Sequence, residues 1–177
     1  TWDGKHPHGI IVDNLGDVNN LDVFFEYQLY CKSLHVSITH FNTETKRMLS
    51  KNTKEEYIDS IMSNKQYNIC DRTNEYIFTI DSSSSTDLDD GFSIMRHEKG
   101  WKVSIYISNV FIWLETLQLW DSLTERVSSI YLPDRKRPML PTILSETLCS
   151  LQEKQTRFAM CLDTFIDENG EFVDVES

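Results

Sequence analysis

Four aspartates, Asp81, Asp87, Asp89 and Asp90, lie within ten residues of one another. Two such charges about 4 Å apart repel by roughly 4 kcal/mol at an effective dielectric near 20, so a converging cluster needs protons or cations to neutralise it. Magnesium suits these donors, because it binds one or two carboxylates together with waters and substrate phosphates. Two such ions about 3.5–4 Å apart would activate a water and stabilise a leaving oxygen.

An acidic loop that contains Ser82–Ser85 also has a simpler interpretation, as a solvated or calcium-binding loop without a catalytic role. The flanking sequence favours a catalytic site. Tyr76–Ile80 predicts a strand before the loop, and Phe92–Ile94 resumes an apolar pattern after it. A catalytic cluster needs a rigid mount on both sides, whereas a solvated loop does not.

The surrounding sequence predicts an α+β fold, with a mixed β-sheet and flanking helices. Helical spacing and the capping-box pattern of Thr53 and Glu56 predict helices over residues 42–66 and Leu117–Ser129. A turn at His97–Gly100 predicts a hairpin. Strands are predicted within residues 8–38 and at Ser93–Met95, Trp101–Ile107, Phe158–Phe165 and Glu171–Val173.

The acidic segment, Ile80-Asp81 followed after five residues by Asp87-Leu-Asp-Asp90, resembles the signature of the ribonuclease II family of RNB-domain exoribonucleases. Segments in the family's order and spacing follow it: Ile130-Tyr-Leu-Pro-Asp-Arg135, Pro138-Met-Leu-Pro141, Leu144-Ser145 and Leu148-Cys-Ser-Leu151. Upstream, Gly9–Val12, Leu15–Asp17 and Phe25–Tyr27 are similar to the end of the second cold-shock domain in eukaryotic, exosome-type members. The resemblance implies the first part of an RNB catalytic domain over residues 61–177. It also implies the last part of an OB or cold-shock β-barrel, with a connector, over residues 1–60.

The resemblance also implies roles for individual residues. Asp81, Asp87, Asp89 and Asp90 would be catalytic, with Asp81 and Asp90 as direct ligands of one or two Mg²⁺ ions, which Mn²⁺ can replace. Asp87 would be a metal ligand directly or through water, and Asp89 would be needed for turnover. Tyr131 would stack on the 3′-terminal base of RNA; the alternative is a loop anchor packed beside Pro133. Arg135, with Lys136 and Arg137, would contact phosphate or form a solvated turn.

Composition and charge restrict the class of protein further. A net charge of -11 argues against a free-standing nucleic-acid binder but not against an enzyme that holds phosphates through cations. No apolar run approaches the roughly 18 residues of a membrane span, and no signal-peptide pattern is present. Four dispersed cysteines without a C-x-x-C pair predict free thiols and an intracellular protein, in the cytoplasm or nucleus. The chain does not begin with Met, so we expect a piece of a longer protein.

Together these observations predict part of a magnesium-dependent 3′→5′ exoribonuclease that hydrolyses single-stranded RNA to 5′-nucleotides, free-standing or with subunits of an exosome-like complex. Because the family's later basic segments lie beyond residue 177, we expect little or no activity from the isolated chain. The alternative is a catalytically degenerate relative that binds RNA or a protein partner. It is motivated by Tyr106–Val110, where the family usually has His-Ile-Ala-Asp-Val, and where Asn109 cannot supply the charge of an aspartate.

Overall fold

The computed structural model describes residues 4, 6, 8–98, 100–133 and 135–176 of the chain. The first half is helical: α1 (Leu21–Cys31), α2 (Thr39–Leu49), α3 (Lys54–Ser63) and a 3₁₀ turn at Lys65–Tyr67. The second half comprises β1 (Asp90–His97), β2 (Gly100–Ser108), α4 (Val110–Thr116), a 3₁₀ turn at Trp120–Ser122, β3 (Ile130–Tyr131), β4 (Lys136–Arg137), a π-helix at Ile143–Cys149, β5 (Ala159–Ile166) and β6 (Phe172–Glu176). The predicted α+β class is confirmed. Among the described residues, no helix is both long and apolar enough to cross a membrane.

The main sheet is open, with strand order β1-β2-β5-β6, and each neighbouring pair is antiparallel. The predicted hairpin is confirmed as β1 and β2, although residue 99 of its turn lies outside the described residues. Gly100 closes this hairpin with φ +122°, and a Cβ there would lie 2.3 Å from the carbonyl oxygen of Ile166. Only glycine fits this position, because the conformation disfavours L side chains and β5 occupies the space.

The apolar core lies among the helices and not between two sheets. Its buried members come from α2, α3, α4, the turn after α4 and the π-helix: Phe41, Met48, Tyr57, Ile61, Ile112, Trp113, Leu114, Leu117, Leu119, Leu144, Leu148 and Cys149. The capping box of α3 forms as predicted. Thr53 N donates to Glu56 Oε2 at 2.8 Å, and Glu56 N donates to Thr53 Oγ1 at 3.2 Å.

The prediction of short strands within residues 8–38 is wrong. Leu21–Cys31 is a helix, and the described residues of this region contain no strand that could belong to a barrel. Asn20 is the N-cap of this helix, because its Oδ1 accepts a hydrogen bond of 2.9 Å from the backbone N–H of Asp22. The aromatic-rich sequence favours a strand, but helical packing buries Leu29 and leaves Tyr27 and Tyr30 exposed.

Two further element predictions are wrong. Tyr76–Ile80 is not a strand but meets the sheet at one isolated bridge, where Phe78 and Phe92 exchange backbone hydrogen bonds of 2.9 and 2.8 Å. The predicted helix over Leu117–Ser129 is replaced by turns after α4, because Gln118 adopts a φ of +52°. The helical spacing that favoured this helix comes from Leu119, Leu123, Arg126 and Val127. Of these, Leu119 is buried in the core, whereas Leu123 and Val127 are exposed.

Candidate active site

A buried serine clamps the acidic segment onto the rest of the fold. Ser150 Oγ donates to the carbonyl oxygen of Thr86 at 3.0 Å and accepts from the backbone N–H of Leu88 at 3.0 Å. The backbone N–H of Leu151 donates to the carbonyl oxygen of Leu88 at 2.8 Å. The chain after the π-helix therefore holds the residues on both sides of Asp87.

The end of β2 holds the next part of the segment. The backbone N–H of Ser108 donates to the carbonyl oxygen of Asp89 at 2.8 Å, and Asp90 begins β1 opposite Ile107. By contrast, Ser82, Ser84 and Ser85 contact one another through exposed hydroxyl groups. Asp87–Asp90 is therefore mounted on the sheet and the π-helix, whereas the serine run before it is a solvated loop.

Asp87 and Asp89 line the same cavity, which has a volume of about 240 Å³. Asp90 does not line it, as expected where successive side chains of an extended segment alternate between two sides. The other lining residues come from the end of β2, the start of α4, the β3–β4 region and the π-helix: Ile107, Ser108, Val110, Ser129, Lys136, Pro138, Met139, Leu140 and Ser145.

The charges of the other three aspartates act on Asp89. Partial desolvation raises the pKa of Asp89, and repulsion from Asp87, Asp90 and Asp81 raises it further, while Lys136 opposes the shift. Asp89 is therefore close enough to the other three carboxylates to interact with them electrostatically. Nevertheless, no three His, Cys, Asp or Glu side chains among the described residues form a group that could hold a metal ion. The donor chemistry suits a divalent cation, but the geometry does not provide a three-carboxylate site.

Lys136 brings a positive charge into this acidic site. Its Nζ forms a salt bridge with Asp87 Oδ2, and the two side chains are only 24% and 26% exposed. Burial disfavours the ammonium form, but the contact with Asp87 prevails and raises the pKa of Lys136. Nζ also lies 5.6 Å from the ring centre of Tyr131, which faces Lys136 across the β3–β4 pair. Lys136 thus connects the predicted base-stacking residue with the predicted catalytic aspartates.

Tyr131 and Arg135 lie on the surface beside this site. The side chain of Tyr131 is 73% exposed, which disagrees with the alternative of a packed loop anchor. Arg135 forms a 2.9 Å salt bridge with Asp22, and Arg137 pairs with Glu26 one turn further along α1. Arg135 therefore pairs with α1 through an exposed salt bridge, and its contact with phosphate stays a prediction.

Sequence reasoning missed three contributors to the site. Ser150 lies within the segment Leu148-Cys-Ser-Leu151, but nothing local in the sequence indicates that it contacts Thr86 and Leu88. The sequence shows Lys136 only as part of a basic run. Ser145 lines the cavity, and among the described residues its buried Oγ has no hydrogen-bond partner.

The departure at Tyr106–Val110 has a structural explanation. Asn109 Oδ1 accepts from the backbone N–H of Ile112 at 3.1 Å, so Asn109 serves as the N-cap of α4. The hydroxyl of the buried Tyr106 donates to Glu75 Oε2 at 2.6 Å. Neither residue lines the cavity, whereas Ser108, which stands where the family usually has alanine, does.

Comparison with known proteins identifies similar sequences. Residues 70–177 match the family model described as RNB domain. The chain is 36% identical over 102 residues to exoribonuclease 2 of Psychromonas ingrahamii, a match that covers 57% of this chain and 16% of that protein. It is 28% identical over 169 residues to DIS3-like exonuclease 2 of Schizosaccharomyces pombe, which covers 94% of this chain and 17% of the relative. The matches thus span less than a fifth of the relatives' lengths.

Solved structures show the same fold. The chain resembles Mycoplasma genitalium RNase R in complex with ribose methylated single-stranded RNA, with a TM-score of 0.53 and 22% sequence identity, over 75% of this chain and 23% of that one. The apo form of that protein gives a TM-score of 0.53 at 23% identity, again over 75% of this chain and 23% of that one. At these identities the likeness establishes the fold.

Proposed function

The chain belongs to the RNB-domain ribonuclease family, and on that premise we propose that it is part of a 3′→5′ exoribonuclease that hydrolyses single-stranded RNA to 5′-nucleotides. The observation that carries this proposal is the cavity in which Asp87 and Asp89 meet Lys136. The exposed ring of Tyr131 next to it supports a 3′-terminal base stacked at its edge. Stacking tolerates any base, because every base offers a π-face, and a sequence-independent exonuclease needs that tolerance.

Within this proposal, Asp89 acts in turnover and not in RNA binding. Its pKa is raised, so it accepts a proton more readily than an ordinary aspartate, and it lines the cavity beside Lys136. Asp89 would take a proton from the water that attacks the last phosphodiester. The ammonium group of Lys136 and the guanidinium group of Arg135 would attract the phosphates, Arg135 after exchanging Asp22 for phosphate.

We further propose that the site works with a divalent cation, magnesium in the cell and manganese as a substitute. Magnesium is commonly held by one or two carboxylates plus substrate phosphates, so a three-carboxylate group is not required before RNA binds. Asp87 is engaged by Lys136, which favours Asp81 and Asp90 as direct ligands and Asp87 as a ligand through water. The cation would stabilise negative charge on the phosphate that is attacked.

The larger organisation is also a proposal. We divide the chain into residues 1–60 and residues 61–177, the latter being the first part of the RNB domain. Residues 1–60 resemble in sequence the end of an OB or cold-shock module with its connector, although their described part forms helices and no barrel strand. Because α2 and α3 share a core with α4, this is a division into sequence modules and not into separate cores. The likeness to a DIS3-like protein supports subunits of an exosome-like complex as partners. The four unpaired cysteines support a location in the cytoplasm or nucleus.

The test is a single substitution in the protein that carries this chain. Asp89→Asn should reduce the rate at which 5′-labelled single-stranded RNA is shortened by roughly 100-fold or more, since a lost proton acceptor costs about that much. RNA affinity should stay within about threefold, because Asp89 is assigned to turnover. Asp59→Asn, the same change at an exposed position on α3, is the matched control. Unchanged shortening by Asp89→Asn would refute the proposal.

A catalytically degenerate relative is the second candidate, because Lys136 already engages one of the four carboxylates. The same assay separates the two. A degenerate protein would bind the labelled RNA without shortening it at any magnesium or manganese concentration, and Asp89→Asn would change nothing.

A further inference from the structure

Ser145 carries a hydroxyl group that the described residues leave without a hydrogen-bond partner. Its Oγ is inaccessible to water, and the residue lines the cavity of about 240 Å³ beside Asp89. A buried hydroxyl without a partner is unfavourable, because it gives up its hydrogen bonds to water and regains none. Such groups are rare in folded proteins, and a ligand that supplies the missing partner explains why one is kept at a cavity.

The local structure leaves this hydroxyl free to meet a ligand. Ser145 lies in the π-helix Ile143–Cys149; its N–H donates to the carbonyl oxygen of Pro141 at 3.1 Å, and its carbonyl oxygen accepts from the N–H of Ser150 at 3.0 Å. A helical serine often donates to the carbonyl four residues earlier, but here that carbonyl, of Pro141, also accepts from the N–H of Leu144. The backbone is therefore fixed, while rotation of the hydroxyl to another staggered χ1 rotamer breaks no hydrogen bond.

The charges of the cavity decide which part of a ligand suits Ser145. Among the described residues that line it, the charged groups are the carboxylates of Asp87 and Asp89 and the ammonium group of Lys136, which already pairs with Asp87. The balance is negative and disfavours a phosphate against the Ser145 hydroxyl. The rest of this lining is apolar or carries hydroxyl groups. A neutral hydroxyl of a ligand fits such surroundings, because it both donates and accepts, as the serine hydroxyl does.

We propose that Ser145 hydrogen-bonds a ribose hydroxyl of the 3′-terminal nucleotide and is therefore a binding residue that recognises the terminal sugar. The inference rests on the proposed function, in which the terminal base stacks on Tyr131 at the edge of this cavity, so that its sugar is the part of the RNA nearest to Ser145. The 2′- and 3′-hydroxyl groups offer the same chemistry, and the experiment separates them.

The affinity for three single-stranded RNAs tests this contact: one unmodified, and two that lack either the 2′- or the 3′-hydroxyl of the last nucleotide. Fluorescence anisotropy measures binding to the protein that carries this chain, with Asp89→Asn in every variant so that the RNA stays intact. This parent should bind one analogue roughly 3- to 12-fold more weakly than unmodified RNA, the value of one hydrogen bond. Adding Ser145→Ala should weaken the binding of unmodified RNA by the same factor and abolish the difference between it and that analogue.

Two serine-to-alanine controls make the result specific. Ser129→Ala removes another hydroxyl of the same cavity, but one whose oxygen already accepts from the N–H of Met139 at 3.0 Å, and it should keep the discrimination between RNAs. Ser63→Ala removes an exposed hydroxyl that donates to the carbonyl oxygen of Asp59 within α3, and it should leave both affinity and discrimination unchanged.

The stability of the chain without RNA provides a second readout. Ser145→Ala breaks no hydrogen bond, so it should unfold at the same urea concentration as the wild type or at a higher one. Ser150→Ala, which breaks two hydrogen bonds from the other buried serine of this region, should unfold at a lower concentration. A fall in the midpoint of Ser145→Ala as large as that of Ser150→Ala would show that the hydroxyl is engaged within the protein, and would overturn the inference.

Two binding outcomes would also overturn it: equal affinity of the parent for all three RNAs, or discrimination by Ser145→Ala against each analogue as strong as that of the parent. If Ser145→Ala does not fold by circular dichroism, Ser145→Cys, whose thiol is a weak donor, is tested against the same expectations. Loss of discrimination in a protein that never shortens RNA would support the serine contact while refuting the nuclease. Shortening of RNA together with discrimination that Ser145→Ala leaves intact would do the reverse.

Discussion

Replacing Ser150 by alanine should loosen the acidic segment from its support. The Ser150 hydroxyl is completely buried and makes two hydrogen bonds to the segment, to the carbonyl oxygen of Thr86 and from the backbone N–H of Leu88. Alanine keeps the backbone and the volume but removes both bonds. The change therefore probes the clamp without altering any carboxylate.

The expected loss of stability follows from what each freed group can do afterwards. A typical hydrogen bond contributes about 1 kcal/mol net, so the two bonds together suggest about 2 kcal/mol. Thr86 is exposed, and its carbonyl oxygen can turn to water at little cost. Leu88 is only partly exposed, so its N–H group adds a desolvation penalty. We expect the free energy of unfolding to fall by roughly 2–3 kcal/mol.

Urea denaturation of the whole chain measures this loss, and hydrogen exchange of the Leu88 amide locates it. The Leu88 amide should exchange much faster in Ser150→Ala. The matched control is Ser84→Ala, in the same acidic segment, where the hydroxyl contacts only the exposed Ser82. This variant should stay within about 0.5 kcal/mol of the wild type. If Ser150→Ala unfolds at the same urea concentration and protects the Leu88 amide equally, the clamp does not exist.

Two further predictions concern pH and RNA affinity. Asp163 accepts two 2.8 Å hydrogen bonds from the guanidinium group of Arg72, which hold its pKa well below its usual range despite burial. The folded pKa is thus below the unfolded value, so this stabilisation is present above about pH 4 and lost as pH falls towards the folded pKa. Urea midpoints between pH 2 and 6 should therefore fall less steeply with acid in Asp163→Asn, and an unchanged slope would contradict the assignment. Tyr131→Ala should weaken single-stranded RNA binding by the protein that carries this chain roughly 5- to 150-fold, as loss of one stacked base predicts, with unfolding unchanged because the ring is exposed. Fluorescence anisotropy with Tyr131→Phe as the control measures this, and equal loss in both variants would rule out stacking.

The outcome for α1 shows where sequence patterns mislead. The aromatic run from Val23 to Tyr30 favours a strand by intrinsic preference. The side chain of Asn20 starts a helix instead, and burial of Leu29 decides which face of that helix turns inward. The error at Leu117–Ser129 has a different cause. Leu119, Leu123 and Val127 have helical spacing, but Leu123 and Val127 are exposed and the chain turns at Gln118.

The sequence alone was sufficient for features that depend on neighbouring residues. The β1–β2 hairpin, the capping box of α3 and the group of aspartates from Asp81 to Asp90 all follow from patterns a few residues long. Only the tertiary structure decided that Lys136 meets Asp87 across 49 residues, that Ser150 supports Leu88 across 62, and that Arg72 pairs with Asp163 across 91. Local preferences act within a turn of helix or a pair of strands. Contacts between distant side chains exist only after the core and the sheet have brought their backbones together, and the first two of these contacts belong to the candidate site.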